Sequence, residues 1–203
     1  MKTSKEKYGH EAQRMNFERA NQYLQDLKEV FDKVDLKFFL FYGTLLGAIR
    51  DHDFVWIDHD VDVGILYEDA HKIYETEPLF KAKGYQLNLG DRLNGKTPHV
   101  GGYMSKKEYH EKVDFYALFL YKGDRCYHHY TRDGKSLFFT YPAKHFESFK
   151  EIEFKGAKYL VPDDPEGLLR YMWNDWEEPK GGQWGYNPHH IVPAGELIPE
   201  MKI

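Results

Sequence analysis

The run Phe38-Phe39-Leu40-Phe41-Tyr42-Gly43-Thr44-Leu45-Leu46-Gly47-Ala48-Ile49-Arg50 leads through residues 51–57 into Asp58-His59-Asp60-Val61-Asp62-Val63-Gly64. Its first half reads as a strand, a tight glycine turn and a short helix. Its second half reads as a strand with an acid at every other position. Alternate residues of a strand share a face, so Asp58, Asp60 and Asp62 project together, while His59, Val61 and Val63 face the other way. Like charges on one patch repel, and a partly buried carboxylate is costly unless something neutralises it, so the pattern calls for a cation. Oxygen-only ligands suit a hard ion, and carboxylates completed by substrate phosphate oxygens are a usual way of holding Mg²⁺. Magnesium, or manganese in its place, is the expected ion.

Working outward, Met15, Ala20, Tyr23, Leu24, Leu27, Val30, Phe31 and Val34 recur at helical spacing and predict an amphipathic helix over residues 11–34. The apolar run 37–42 predicts a strand covered on both sides. Gly43 permits a sharp turn, with Thr44 as N-cap of a helix from Leu45 to Arg50. After the acids, residues 68–83 read as a helix that Pro78 should kink or split, stopped at Gly84. Antiparallel strands are expected at 85–89, 99–105, 112–121, 125–131, 136–141, 152–154 and 157–161, separated by turn signals such as Lys122-Gly123-Asp124. Asp164 then caps a helix with Pro165 at its first position.

Composition narrows the classes. The chain has 203 residues, a net charge of −5 and 30% charged residues of both signs, with no electrostatic footprint for nucleic acid. A single domain is expected over 1–203, with a catalytic core at 37–121 and a loop-rich tail at 179–203. No apolar run reaches membrane-helix length, the N-terminus is polar, and the lone Cys126 has no disulfide partner, so the simplest location is cytoplasmic.

One further acid stands out. Asp114, in Lys112-Val113-Asp114-Phe115-Tyr116-Ala117-Leu118, interrupts an apolar strand, where a lone carboxylate needs a reason. It is the candidate third metal ligand; the alternative is a salt bridge to Lys112 or a nearby Arg.

Together these pieces resemble the LicD/fukutin-like family of the DNA polymerase beta-like nucleotidyltransferase superfamily. The resemblance rests on Tyr42-Gly43-Thr44-Leu45-Leu46-Gly47-Ala48-Ile49-Arg50, on Phe54 through Asp62, on Val113-Asp114-Phe115, and on Phe154-Lys155-Gly156-Ala157-Lys158-Tyr159-Leu160-Val161-Pro162 with residues 163–171. It implies an α+β fold: a nucleotidyltransferase-like mixed sheet flanked by helices, with additional antiparallel strands. It also implies Asp60 and Asp62 as the metal pair, Asp114 as the third acid, and a phosphate-holding turn at Gly43 and Thr44. Gly47 is the alternative glycine under the phosphates. Arg50 is a candidate phosphate contact and Asp58 a same-face neighbour in the substrate site. Where the family reads Trp-Asp-Asp-Asp, this chain has Trp56-Ile57-Asp58-His59-Asp60.

The activity implied is metal-dependent transfer of an alcohol phosphate (choline, ribitol or glycerol phosphate) from a CDP-activated donor to a glycan acceptor. Two alternatives stand beside it: transfer of NMP from an NTP, and a non-catalytic nucleotide-binding module. Zinc at Cys126, His128 and His129 is disfavoured, because neighbouring histidines on a strand face opposite ways.

Overall fold

The computed structural model describes residues 14–89, 101–130, 136–178 and 191–193. Helix α1 (Phe17–Lys33) starts at Asn16, whose side chain accepts from the Arg19 amide at 3.0 Å. Its stripe of Ala20, Tyr23, Leu24, Leu27, Val30 and Phe31 is buried, as the helical spacing predicts. Phe31 meets the rings of Phe38, Phe80 and Phe115, which fixes α1 against the sheet. Residues 11–13 of the expected helix lie outside the described residues.

Strand β1 (Phe39–Leu40) is shorter than the apolar run suggested. The chain leaves it at Tyr42, whose φ of 37° is left-handed, and enters helix α2 (Tyr42–Leu46) and a wider π-helical turn over Gly47–Asp51. Thr44 is therefore inside α2 and does not cap it; the turn starts two residues earlier because Tyr42, not Gly43, takes the strained backbone conformation.

The expected acidic strand also starts later. Strand β2 spans Val61–Leu66, so Asp58, His59 and Asp60 precede it. A 3₁₀ helix over Tyr67–Thr76 hands over to α3 (Glu77–Ala82), with Pro78 in its first turn, which is the split that proline demands. Gly84 follows at φ +81° and ends the helix.

The later strands are β3 (Gln86–Leu89), β4 (Gly101–Ser105), β5 (Lys112–Tyr121), β6 (Asp124–Tyr130), β7 (Ser136–Pro142), β8 (Phe149–Phe154), β9 (Ala157–Pro162) and β10 (Ile191–Pro193). Helix α4 (Pro165–Met172) is capped by Asp164, which accepts from the Gly167 amide at 2.9 Å. The short β10, in the tail expected to be loop, pairs with β7.

Among the described residues these strands form a mixed sheet in the order β10-β7-β6-β5-β2-β1-β9-β8, with the β3–β4 hairpin joined to β5. The β2/β5 and β1/β9 pairs are parallel and the others antiparallel. On one face Val61, Val63, Ile65, Val113, Phe115 and Ala117 are buried toward the helical side. The opposite face of the same two strands carries Asp62, Asp114 and Tyr116. This mixed sheet with helices against it is the α+β architecture expected.

Candidate active site

The alternation of β2 and β5 builds the site. The register pairs Val61 with Val113 and Asp62 with Asp114, so the two acids stand side by side on adjacent parallel strands. Asp62 is only 6% exposed. Its Oδ2 accepts from the Gly43 amide at 3.2 Å, its Oδ1 accepts from the Tyr116 hydroxyl at 3.1 Å, and its own amide donates to Thr44 Oγ1 at 2.8 Å. Gly43 and Thr44 thus clamp the acid strand from α2.

Asp58 reaches the same patch from a loop. Its amide donates to the Val55 carbonyl at 3.0 Å, and its carbonyl accepts from the Met15 amide at 3.2 Å. A Cβ placed on Gly43 would lie 2.0 Å from Asp58 Oδ2 and 3.4 Å from Asp62 Oδ2. Glycine is needed here so that two carboxylates can close on the turn. One carboxylate oxygen from each of Asp58, Asp60 and Asp62 falls within 4.8 Å of the others. Three converging carboxylate oxygens fit a hard divalent cation such as Mg²⁺ or Mn²⁺.

The protonation pattern agrees with a cation-seeking site. Burial pushes the Asp58 carboxyl up to about 7, with Asp60 adding repulsion. Burial, then Asp60, Asp58 and Asp114, hold Asp62 well above the usual carboxylate range. Asp114 rises to about 6 by burial, against the pull of Lys112. Each shift has the direction expected of carboxylates crowded together out of water, with burial outweighing the one nearby ammonium, Lys112.

Asp114 is held by the Lys112 ammonium, which also lies 3.0 Å from Asp60 Oδ2. Both readings of Asp114 therefore describe it: it shares the acid face and it is ion-paired. Opposite it on β4 stands Tyr103, whose hydroxyl accepts from Asn88 Nδ2 at 3.0 Å.

The remaining candidates divide. Gly47 packs against backbone, since a Cβ there would sit 2.4 Å from the Asp53 carbonyl oxygen and 3.0 Å from the Val55 nitrogen. Arg50 makes a two-pronged ion pair with Asp51 at 2.7 and 2.8 Å and donates to the Trp176 carbonyl at 3.2 Å. His59 is exposed, in the loop before β2. Cys126 is a free, buried thiol packed with Phe119 and Phe138; the side chains of His128 and His129, and His189 and His190 altogether, lie outside the described residues.

Sequence reasoning missed the roles of Lys112 toward Asp60 and of Tyr116 toward Asp62. The signal was present: Lys112, Asp114 and Tyr116 alternate along β5 and must share one face. It also missed the tyrosine layer beneath the turn. The Tyr42 hydroxyl bonds those of Tyr127, at 2.7 Å, and Tyr141, which are brought from β6 and β7.

A mixed sheet whose glycine turn braces an acid strand, with a further acid on the adjacent parallel strand, defines a nucleotidyltransferase-type domain. The sequence model of the LicD/FKTN/FKRP nucleotidyltransferase domain matches residues 35–164, and the chain belongs to that family. The uncharacterized protein RP689 of Rickettsia prowazekii (strain Madrid E) is 28% identical over 158 residues, covering 77% of this chain and 54% of that protein. The uncharacterized protein RT0683 of Rickettsia typhi (strain ATCC VR-144 / Wilmington) is 28% identical over 159 residues, covering 77% and 46%. The chain thus spans about half the length of the curated relatives it matches. Similar solved structures include the lincosamide antibiotic adenylyltransferase LnuA, lincomycin-bound, with a TM-score of 0.45, 14% identity, and coverage of 76% of this chain and 87% of that one. Another is the antibiotic-resistance factor ANT(2'')-Ia, with a TM-score of 0.48, 13% identity, and coverage of 83% and 78%. Among the described residues no helix is long and apolar enough to cross a membrane.

Proposed function

We propose that this chain is a metal-dependent phosphotransferase that moves an alcohol phosphate, such as choline, ribitol or glycerol phosphate, from a CDP-activated donor to a glycan hydroxyl. The observation that carries the reading is the convergence of Asp58, Asp60 and Asp62 within 4.8 Å beside the Gly43 turn, with Asp114 in register with Asp62. A divalent ion held by Asp58, Asp60 and Asp62 would neutralise charge on the donor phosphates. The protein's own contribution is positioning. Gly43 and Thr44 hold Asp62, and Tyr116 holds its second oxygen, so the carboxylates are set before substrate arrives. Asp114 would take the proton of the acceptor hydroxyl while that oxygen bonds to phosphorus and the bond from phosphorus to the departing CMP breaks. Its carboxyl, raised to about 6, can accept a proton near neutral pH.

The second reading, transfer of NMP from an NTP with loss of pyrophosphate, is favoured by the description of the matched domain as a nucleotidyltransferase domain. A product assay separates the two: release of CMP from a CDP-alcohol supports the first, and release of pyrophosphate from an NTP supports the second. In either case Asp60→Asn should lower turnover on the order of a thousand-fold or more, because a negative ligand is lost from the charge-stabilising site. Near-normal turnover of Asp60→Asn would remove the acid cluster from the chemistry. No Mg²⁺-dependent binding of any nucleotide, measured by calorimetry, would leave only a non-catalytic module.

A further inference from the structure

We infer that Lys112 serves as a fixed second cation of this site, so that the acid cluster takes a single divalent ion. The inference rests on the reading of Asp58, Asp60 and Asp62 as a metal site. The parallel register begins with Val61 opposite Val113, followed by Asp62 opposite Asp114, and the residues just before that first pair are Asp60 and Lys112. The side chains follow that placement. Lys112 Nζ lies 3.0 Å from Asp60 Oδ2 and is bonded to Asp114 Oδ2, bridging one acid from each side of the strand pair. The ring of Tyr103 flanks the ammonium on the β4 side, 5.9 Å from its centroid.

The four acids are therefore divided. Asp58, Asp60 and Asp62 converge on one point, whereas Asp114 is taken up by Lys112. In two-metal sites a pair of ions shares carboxylates at a separation of roughly 4 Å. Here a second ion sharing Asp60 with Asp114 would have to compete with an ammonium already bonded to both. An ammonium neutralises charge and donates hydrogen bonds, but it has no open coordination position and activates no water. The consequence is a one-ion site in which Lys112 orients Asp114.

The test is metal stoichiometry of the full chain at neutral pH, by calorimetry and by electron paramagnetic resonance of Mn²⁺. The wild type should bind one Mn²⁺, Lys112→Arg should also bind one, and Lys112→Met, with its fold checked by circular dichroism, should gain a second. Should Lys112→Met fail to fold, Lys112→Gln is read by the same criterion. Two Mn²⁺ in the wild type, or a single one in a folded Lys112→Met, overturns the inference and leaves the metal-site reading standing. Absence of any Mn²⁺ binding by the wild type, or wild-type affinity in Asp58→Asn, instead overturns the metal-site reading itself.

Discussion

Gly43 shows how little space separates the turn from the acids. Its Cα faces Asp58 so closely that a methyl group would stand 2.0 Å from Oδ2, inside any permitted contact. The φ at this position is unremarkable; the strain sits at Tyr42 instead, where φ is 37°. Gly43→Ala should therefore leave the fold in place and push Asp58 out of the cluster. A displacement of that size costs about 100-fold in a preorganised site. Turnover and Mn²⁺ affinity should both fall by that order, while the melting temperature measured in EDTA stays near wild type. Unchanged Mn²⁺ affinity in the alanine variant would show that Gly43 does not shape the cluster. The need for glycine at 43 was legible in the sequence as a turn signal, but its cause was not. A turn and a close approach produce the same residue, and only the loop carrying Asp58 distinguishes them.

At the scale of elements, β1 and β2 are locked by one aromatic residue over one glycine. Phe39 is in register with Gly64, and a Cβ on Gly64 would meet the Phe39 ring at 2.2 Å. Overpacking a core costs roughly 1–3 kcal/mol, so Gly64→Val should destabilise by that amount. Phe39→Leu makes room, and the double variant should recover part of the loss in denaturant unfolding. Strictly additive losses would mean that the two residues do not share the space. Register matters here for function, since β2 carries Asp62 and a slip of one residue would turn the acid into the core. The buried Glu111 fixes the other end of the same frame. It accepts from the Asn16 amide at 2.9 Å and from both the Nε and Nη2 of Arg19, tying the start of α1 to the strand that carries Lys112 and Asp114.

Across the molecule, the acid cluster couples protonation to stability. In the metal-free fold the Asp58 carboxyl, raised to about 7, keeps a proton that the unfolded chain gives up near its ordinary value of about 4. The folded state then binds more protons than the unfolded state across that interval. The stability contributed by this group is whole below about 4 and is lost as pH rises through about 7. Asp58→Asn has no such loss. In EDTA its melting temperature should exceed that of the wild type at pH values above about 7, and the gap should close toward about 4. Excess Mg²⁺ should reverse the order at high pH, because an ion that binds only the folded state raises its stability. Thermal unfolding by circular dichroism across this range checks both; a gap independent of pH would show that Asp58 is not crowded in the fold.

The sequence by itself determined the elements and their faces. Apolar spacing placed α1, the length of β5 was read without error, Asp164 and Pro165 marked the start of α4, and Pro78 marked the division of the helix before β3. These follow from local rules of period, capping and proline chemistry, which act within a few residues of chain. The tertiary structure alone decided where β2 begins, so that Asp58 comes to the cluster from a loop and not by strand alternation. It alone decided that Arg50 reaches the Trp176 carbonyl and that Lys112 bridges Asp60 and Asp114. The Lys112–Asp60 contact joins segments far apart in sequence, and it is settled only when parallel pairing of β2 with β5 brings charges from the two segments onto one partly buried face.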